Sequence, residues 1–158
     1  VEGLDGVYRV RCLQSLDGSL KAETFPMEPE GDKIRRVGIV EDACDSTDVF
    51  LYHKTTHREI YERARAQRPD CDDVLLVNER GEITESTIAN LVVDIDGDRL
   101  TPPITSGLLA GTFREELLAK GEIHERVITP RMLDQADALW LINSVRGWMP
   151  VALEHTSL

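Results

Sequence analysis

Residues 74 to 101 read VLLVNERGEITESTIANLVVDIDGDRLT, in which two apolar runs each break at a turn signature and then return. Asn-Glu-Arg-Gly at 78–81 and Asp96-Gly97-Asp98 carry residues that tolerate a reversing backbone, so each half is expected to fold as a β-hairpin. Hairpins set neighbouring strands antiparallel. A sheet built this way is the frame into which the rest of the chain must fit.

The flanking segments fit such a frame. GVYRVRCL (6–13) is expected to be a strand, Asp17-Gly18 a hairpin turn, and LKAETF (20–25) the returning strand. PMEPEGDK (26–33) has the prolines, glycine and acids of a surface connection, IRRVGIV (34–40) reads as a further strand, and EDACDSTD as a polar turn before an apolar, strand-like FLYHK. From Thr56 to Gln67 the apolar residues Ile60, Tyr61 and Ala64 fall at helical spacing until Pro69 stops the pattern. SGLLAGTFREELLAKGE begins with small residues, turns helical through Phe113, Leu117 and Leu118, and ends at Gly121, a residue suited to the position just past a helix. IHERVI is expected as a strand, Thr129 as an N-cap followed by Pro130, and ALWLINS as a buried strand. Helices interspersed among hairpins give an α+β class.

The chain has 158 residues, 41% of them hydrophobic, enough for one folded domain. Its formal net charge of −11 repels nucleic acid and anionic lipid, so neither is expected as a partner. No apolar run reaches the roughly 18 residues of a membrane span, and no membrane association is expected. Cys12, Cys44 and Cys71 are odd in number and lack paired spacing, which points to free thiols and a cytoplasmic location. His53, His57, His124 and His155 form no helical ligand pair, so no metal site is expected. The sequence begins at Val1 and not at Met, as a piece of a longer protein would.

Four stretches stand out for chemistry: Lys54 just ahead of a helix, ESTIAN at 85–90, TPPITSGLLAGTFR at 101–114, and INSVRGWMPV at 142–151. Together they resemble the class IV aminotransferase family, the fold type IV enzymes that use pyridoxal 5′-phosphate (PLP). Glu85, Thr87, Asn90 and Leu91 match the first half of the family signature, with Val92 where an aromatic residue is usual. Thr101, Gly111 and Arg114 match the second half, with Thr112 in place of an aliphatic residue. The wording KTTHREIY, ESTIANLVV and TPPITSGLLAGTFREELL is most similar to the lyases of the family that convert 4-amino-4-deoxychorismate to 4-aminobenzoate and pyruvate, including lyase domains fused to a chorismate-using synthase.

That resemblance implies the large C-terminal lobe of a D-amino acid aminotransferase-like fold: hairpins and a mixed sheet or pseudo-barrel surrounded by helices. It implies one domain across 1–158, with the end of a small lobe at about 1–25 and the cofactor lobe at about 34–158, and it implies that relatives carry a further N-terminal lobe. Lys54 would hold the cofactor aldehyde and move the Cα proton, a job that calls for an amine shielded from water or set beside positive charge. Glu85 would sit against the pyridine nitrogen. The amides of Thr112 and Phe113 would meet the phosphate at a helix start, with Ser144 as a further phosphate ligand and Leu109 against a ring face. A small-molecule substrate and a homodimer come with the same resemblance.

The residues taken alone leave other readings open. Glu85 could be an ordinary hairpin carboxylate like Glu79 or Glu82, and SGLLAGT no more than a flexible helix start. Asn90 reads as a structural hydrogen-bonder and Trp140, Trp148 and Met149 as core. Arg9 and Arg11 are either solvated strand charges or contacts to a substrate carboxylate. Beside the lyase stand an aminotransferase of branched-chain or D-amino acids and a non-catalytic relative kept for assembly.

Overall fold

The computed structural model describes residues 5–27 and 33–155, excepting the side chain of Asp42. The chain divides into two compact units, Val1–Lys33 and Ile34–Leu158.

The first unit is the hairpin of β1 (Tyr8–Gln14) and β2 (Leu20–Pro26). Gly18 takes a φ of 83° at the bend, and Asp17 Oδ1 accepts from the Ser19 amide. Cross-strand register puts Arg11 opposite Glu23 and Arg9 opposite Phe25. Arg11 is ion-paired to Glu23 and Arg9 stacks 4.8 Å from the Phe25 ring centre.

In the second unit the strands are β3 (Arg35–Cys44), β4 (Asp73–Asn78), β5 (Ile83–Ser86), β6 (Asn90–Ile95), β7 (Asp98–Thr101), β8 (His124–Glu125), β9 (Ala138–Asn143) and β10 (Gly147–Leu153). They run in the order β5-β4-β3-β10-β9-β6-β7-β8, and β5 also pairs with β6. The extra pairing closes six strands into a ring, with β7 and β8 continuing outward from β6. Closure rests on one residue pair, Glu85 opposite Asn90.

The hairpins expected at 74–86 and 90–101 are present and antiparallel. Asp96 at φ 54° and Gly97 at φ 86° make the second bend the kind that matches strand twist. Parallel pairs enter where longer connections allow them, at β3–β4, β3–β10 and β7–β8.

Among the described residues three α-helices cover the ring: α1 (Glu59–Gln67), α2 (Thr112–Ala119) and α3 (Pro130–Leu133). All of β4 is buried because both its faces are covered. Leu75 and Val77 join Leu91, Val93 and Leu141 in one core, while Val74 and Leu76 pack with Tyr61 and Ala64 of α1. Val92 and Ile142 likewise meet Leu117 of α2. Burying a Leu or Val of this kind contributes about 1.5–3 kcal/mol. Gly121, at φ 69°, ends α2, its amide bonded to Leu118 O and that of Glu122 to Leu117 O.

Local expectations fail at four places. EDAC continues β3, because an irregularity after Val40 lets Cys44 reach the register of Asn78. FLYHK is no strand: Val49–Tyr52 is a 3-10 turn, capped by Asp48 Oδ1 accepting from the Phe50 amide and anchored by buried Leu51. The helix begins at Glu59 and not Thr56, since Thr55 Oγ1 accepts from the His57 amide and holds a local turn there. IHERVI keeps only two residues of strand, His124–Glu125.

Candidate active site

The closure pair of the ring is also the base of a cavity. ESTIAN forms a tight turn in which the Ser86 amide donates to Ala89 O, and Ser86 Oγ accepts from the Ala89 amide at 3.1 Å. The turn sets the Glu85 and Asn90 side chains together at the ends of β5 and β6. Both are buried, at 5% and 4% exposure. They line a cavity of about 330 Å³, within the size range of small-molecule sites.

Glu85 is held by three donors. Its Oε1 accepts from the Tyr61 hydroxyl at 2.8 Å and from the Leu109 amide at 3.2 Å, and its Oε2 accepts from Asn90 Nδ2 at 3.2 Å. Burial pushes the carboxyl up to about 7, against the opposing pull of the Tyr61 hydroxyl, the Leu109 amide, and the charges of Lys54 and Arg58. A carboxylate held by neutral donors in a dry place retains its attraction for a cationic partner.

Leu109 is tied to the site through its backbone, since its carbonyl also accepts from Asn90 Nδ2 at 2.9 Å. Gly111 follows at the N-cap of α2, where an added Cβ would overlap Asn90 Oδ1. Only glycine lets the start of the helix come this close to the buried amide. No side chain caps α2, so its first amides are free of that kind of partner.

Lys54, Thr112 and Ser144 are exposed and line the same cavity, as does half-buried Leu109. The structure thus brings together Lys54, Glu85, Leu109, Thr112 and Ser144. The Phe113 side chain turns away, packing edge-on to Trp148 at 6.4 Å, and leaves only its backbone at the helix start. Arg9 and Arg11 belong to the first unit, with the partners given above, whereas the cavity lining comes from the second. Shielding of the Lys54 amine from water is not met, for the side chain is exposed. Arg58 supplies a positive charge in the lining of the same cavity.

Three contributors were not assigned to the site from sequence. Tyr61 closes KTTHREIY and was read as an apolar position of a helix, with no role in the site. Arg58 lies within KTTHREIY but was given no role; its guanidinium donates to Thr87 O and lies 4.7 Å from the Tyr61 ring centre. Asn90 is a hydrogen-bonder as expected, but what it bonds is the buried carboxylate itself. Its spacing of five residues from Glu85 across a tight turn was the available signal.

The class IV amino-transferase family model matches residues 3–153. The chain is 39% identical over 147 residues to a Schizosaccharomyces pombe protein assigned as an aminodeoxychorismate lyase, covering 87% of this chain and 63% of that one. It is 34% identical to a Thermotoga maritima protein assigned as a branched-chain-amino-acid aminotransferase, over 62% of this chain and 38% of the relative. The chain therefore spans less than two thirds of the length of either relative. The crystal structure of a Mesorhizobium loti protein assigned as an amino-acid aminotransferase superposes with a TM-score of 0.88 at 38% identity, covering 93% of this chain and 73% of that one. With a family match running through nearly every described element, the chain belongs to the class IV aminotransferases.

Proposed function

We propose that this chain is the cofactor-binding part of a PLP-dependent lyase that converts 4-amino-4-deoxychorismate to 4-aminobenzoate and pyruvate. The observation that carries the PLP reading is Glu85, buried, held by neutral donors, and set in a cavity whose rim bears an amine and an uncapped helix start. The S. pombe relative, at 39% identity, supports the lyase within that reading.

The donor set fits the cofactor. Glu85 suits a pyridine N–H, the first amides of α2 with Ser144 suit a phosphate, and Leu109 suits a ring face. The glycine at 111 lets the start of α2 close on Asn90, which is bonded to Glu85. Lys54 is the residue to join the cofactor aldehyde. When bound, PLP supplies an electron sink for charge developing at the substrate Cα. Lys54 Nζ, released when the substrate amine takes its place on the aldehyde, would take the proton from that carbon and return one as pyruvate leaves. Glu85 keeps a negative charge where the ring nitrogen needs it, and Asn90 fixes the plane of that carboxylate.

A class IV aminotransferase is the second reading, favoured by the M. loti structure. The two part at the products: 4-aminobenzoate is released only by the lyase, whereas an aminotransferase turns an amino acid into its own 2-oxo acid and passes the amine to an acceptor. The first test is a PLP titration of this chain and of Lys54→Ala with borohydride reduction and mass mapping. An adduct on Lys54, absent from the variant, is expected and makes the product assay decisive. No adduct on this chain or on a version extended to the length of its relatives would sink the PLP reading and leave the non-catalytic one.

A further inference from the structure

The Glu85 carboxylate is held unevenly. Oε1 accepts two hydrogen bonds, from Tyr61 and from the Leu109 amide, whereas Oε2 accepts one, from Asn90, at 3.2 Å. A carboxylate oxygen accepts about two, so Oε2 has the spare capacity. Tyr61 is itself buried, at 8% exposure, and Glu85 Oε1 is the acceptor of its hydroxyl. Behind it the Arg58 guanidinium lies over the ring face and is anchored on Thr87 O, while Thr87 Oγ1 donates to buried Asp73 Oδ1 at 2.6 Å. A cation over the face of a phenol draws charge from the ring, which makes the hydroxyl a better donor. Among the described residues no carboxylate pairs with Arg58.

We propose that Tyr61 is the positioning residue of this site: its hydroxyl, backed by Arg58, saturates Oε1 so that Glu85 presents Oε2 to the N–H of a bound cationic ring. The inference rests on the PLP reading for the ring, though not for the state of Glu85. Around this carboxylate stand Lys54 ahead of α1, Arg58 and Tyr61 at the start of α1, and the Cys44 thiol on β3. Burial pushes the thiol up to about 11, so it adds no charge near neutral pH. Burial and the Glu85 charge likewise push the Tyr61 phenol upward, keeping it a donor.

The test reads Glu85 with and without cofactor. Glutamate labelled with carbon-13 at the carboxyl is followed by NMR against pH, and the Glu85 resonance is assigned by its loss in Glu85→Gln. In Tyr61→Phe the ring and its packing stay while one charge-assisted hydrogen bond goes, so the protonation equilibrium of Glu85 should move toward the acid form by roughly tenfold. Incorporation of 3-fluorotyrosine at 61 strengthens the donor and should move it the other way, which covers the case of a Tyr61→Phe protein that fails to fold. PLP affinity of Tyr61→Phe should fall by about the same factor at neutral pH, the deficit shrinking as rising pH ionises Glu85 without help. An unmoved Glu85 titration in both variants overturns the proposal. A moved titration with unaltered PLP affinity at every pH overturns the part that gives Oε2 to the ring, and PLP binding by neither protein removes the ring while leaving Tyr61 in control of the carboxylate.

Discussion

Two glutamates three residues apart, at the two ends of β5, are treated in opposite ways. Glu82, just before the strand, receives Arg80 at 2.8 Å, Ser106 Oγ at 2.9 Å and Asn78 Nδ2 at 3.0 Å, all on Oε2. The Arg80 guanidinium, with Asn78 and Ser106, pulls its carboxyl down to about 2. Glu85, at the far end, is pushed up to about 7 by burial and has no cation in hydrogen-bonding contact. Glu82 has its counter-charge within the chain. Glu85 is missing one, which is the condition of a group waiting for a charged ligand.

The two therefore shift stability with pH in opposite senses. A carboxyl raised in the folded state binds its proton more tightly there, so stability falls as pH climbs from the unfolded value near 4.5 to about 7. Integrated over that window, ionising Glu85 costs about 3 kcal/mol. Glu85→Gln removes this cost but sets an amide NH₂ against Asn90 Nδ2, a donor facing a donor, worth about 1 kcal/mol. The variant should thus be about 2 kcal/mol more stable than the parent at pH 8, and about 1 kcal/mol less stable at pH 4. Urea unfolding at the two pH values measures both, and curves that do not cross would show Glu85 to be ionised at no cost.

Cofactor affinity should sharpen the same contrast. A charge-assisted hydrogen bond is worth about 1.5–3 kcal/mol, so Glu85→Gln should weaken PLP binding by roughly tenfold to a hundredfold. Glu82→Gln, which touches no cavity residue through its hydrogen bonds, should leave PLP binding within about threefold of the parent. Equal losses in both would mean that the hairpin as a whole, and not the uncompensated charge, makes the site.

How far this contrast could be read in the sequence depends on which contacts are local. ESTIAN singled out Glu85 over Glu79 and Glu82, and the turn it encodes is local, as are the bends at Gly81 and Asp96-Gly97. The burial that distinguishes Glu85 is not local, for it comes from a ring closed between β5 and β6 and roofed by the approach of Leu109 to Gly111. Tyr61 was legible as a buried helical position, while its hydroxyl bond spans 24 residues. The apolar pattern of FLY was satisfied by burying Leu51 alone, which a 3-10 turn does as well as a strand. Phe113 was correctly placed at a helix start, but its side chain follows the apolar face of α2 toward Trp148.

Gly111→Ala probes the roof of the Glu85 site without touching its charge. The backbone there is at φ −67°, which alanine accepts, so the cost comes from the overlap of Cβ with Asn90 Oδ1. Asn90 must shift and loosen its bonds to Glu85 and Leu109. About 1–3 kcal/mol of stability should be lost, with PLP affinity falling alongside. Loss of stability with affinity retained would show that Asn90 does not set the carboxylate plane.

The smallest effect belongs to Glu82. Its depressed carboxyl stabilises the fold at neutral pH, in full above the unfolded value near 4.5, and that contribution drains away as pH falls toward about 2. Arg80 is 42% exposed, so solvent screening holds the pair to about 1–2 kcal/mol. Glu82→Gln should lose that much at pH 7 and match the parent near pH 2, whereas Glu85→Gln goes from more stable than the parent at pH 8 to less stable at low pH. The reason is that the parent at low pH has lost the Glu82 charge but has been relieved of the Glu85 one. A double variant should then show additive changes at pH 7, because the two carboxylates share no hydrogen-bond partner. Departure from additivity by more than about 0.5 kcal/mol would tie the two ends of β5 into one network and dissolve the distinction between them.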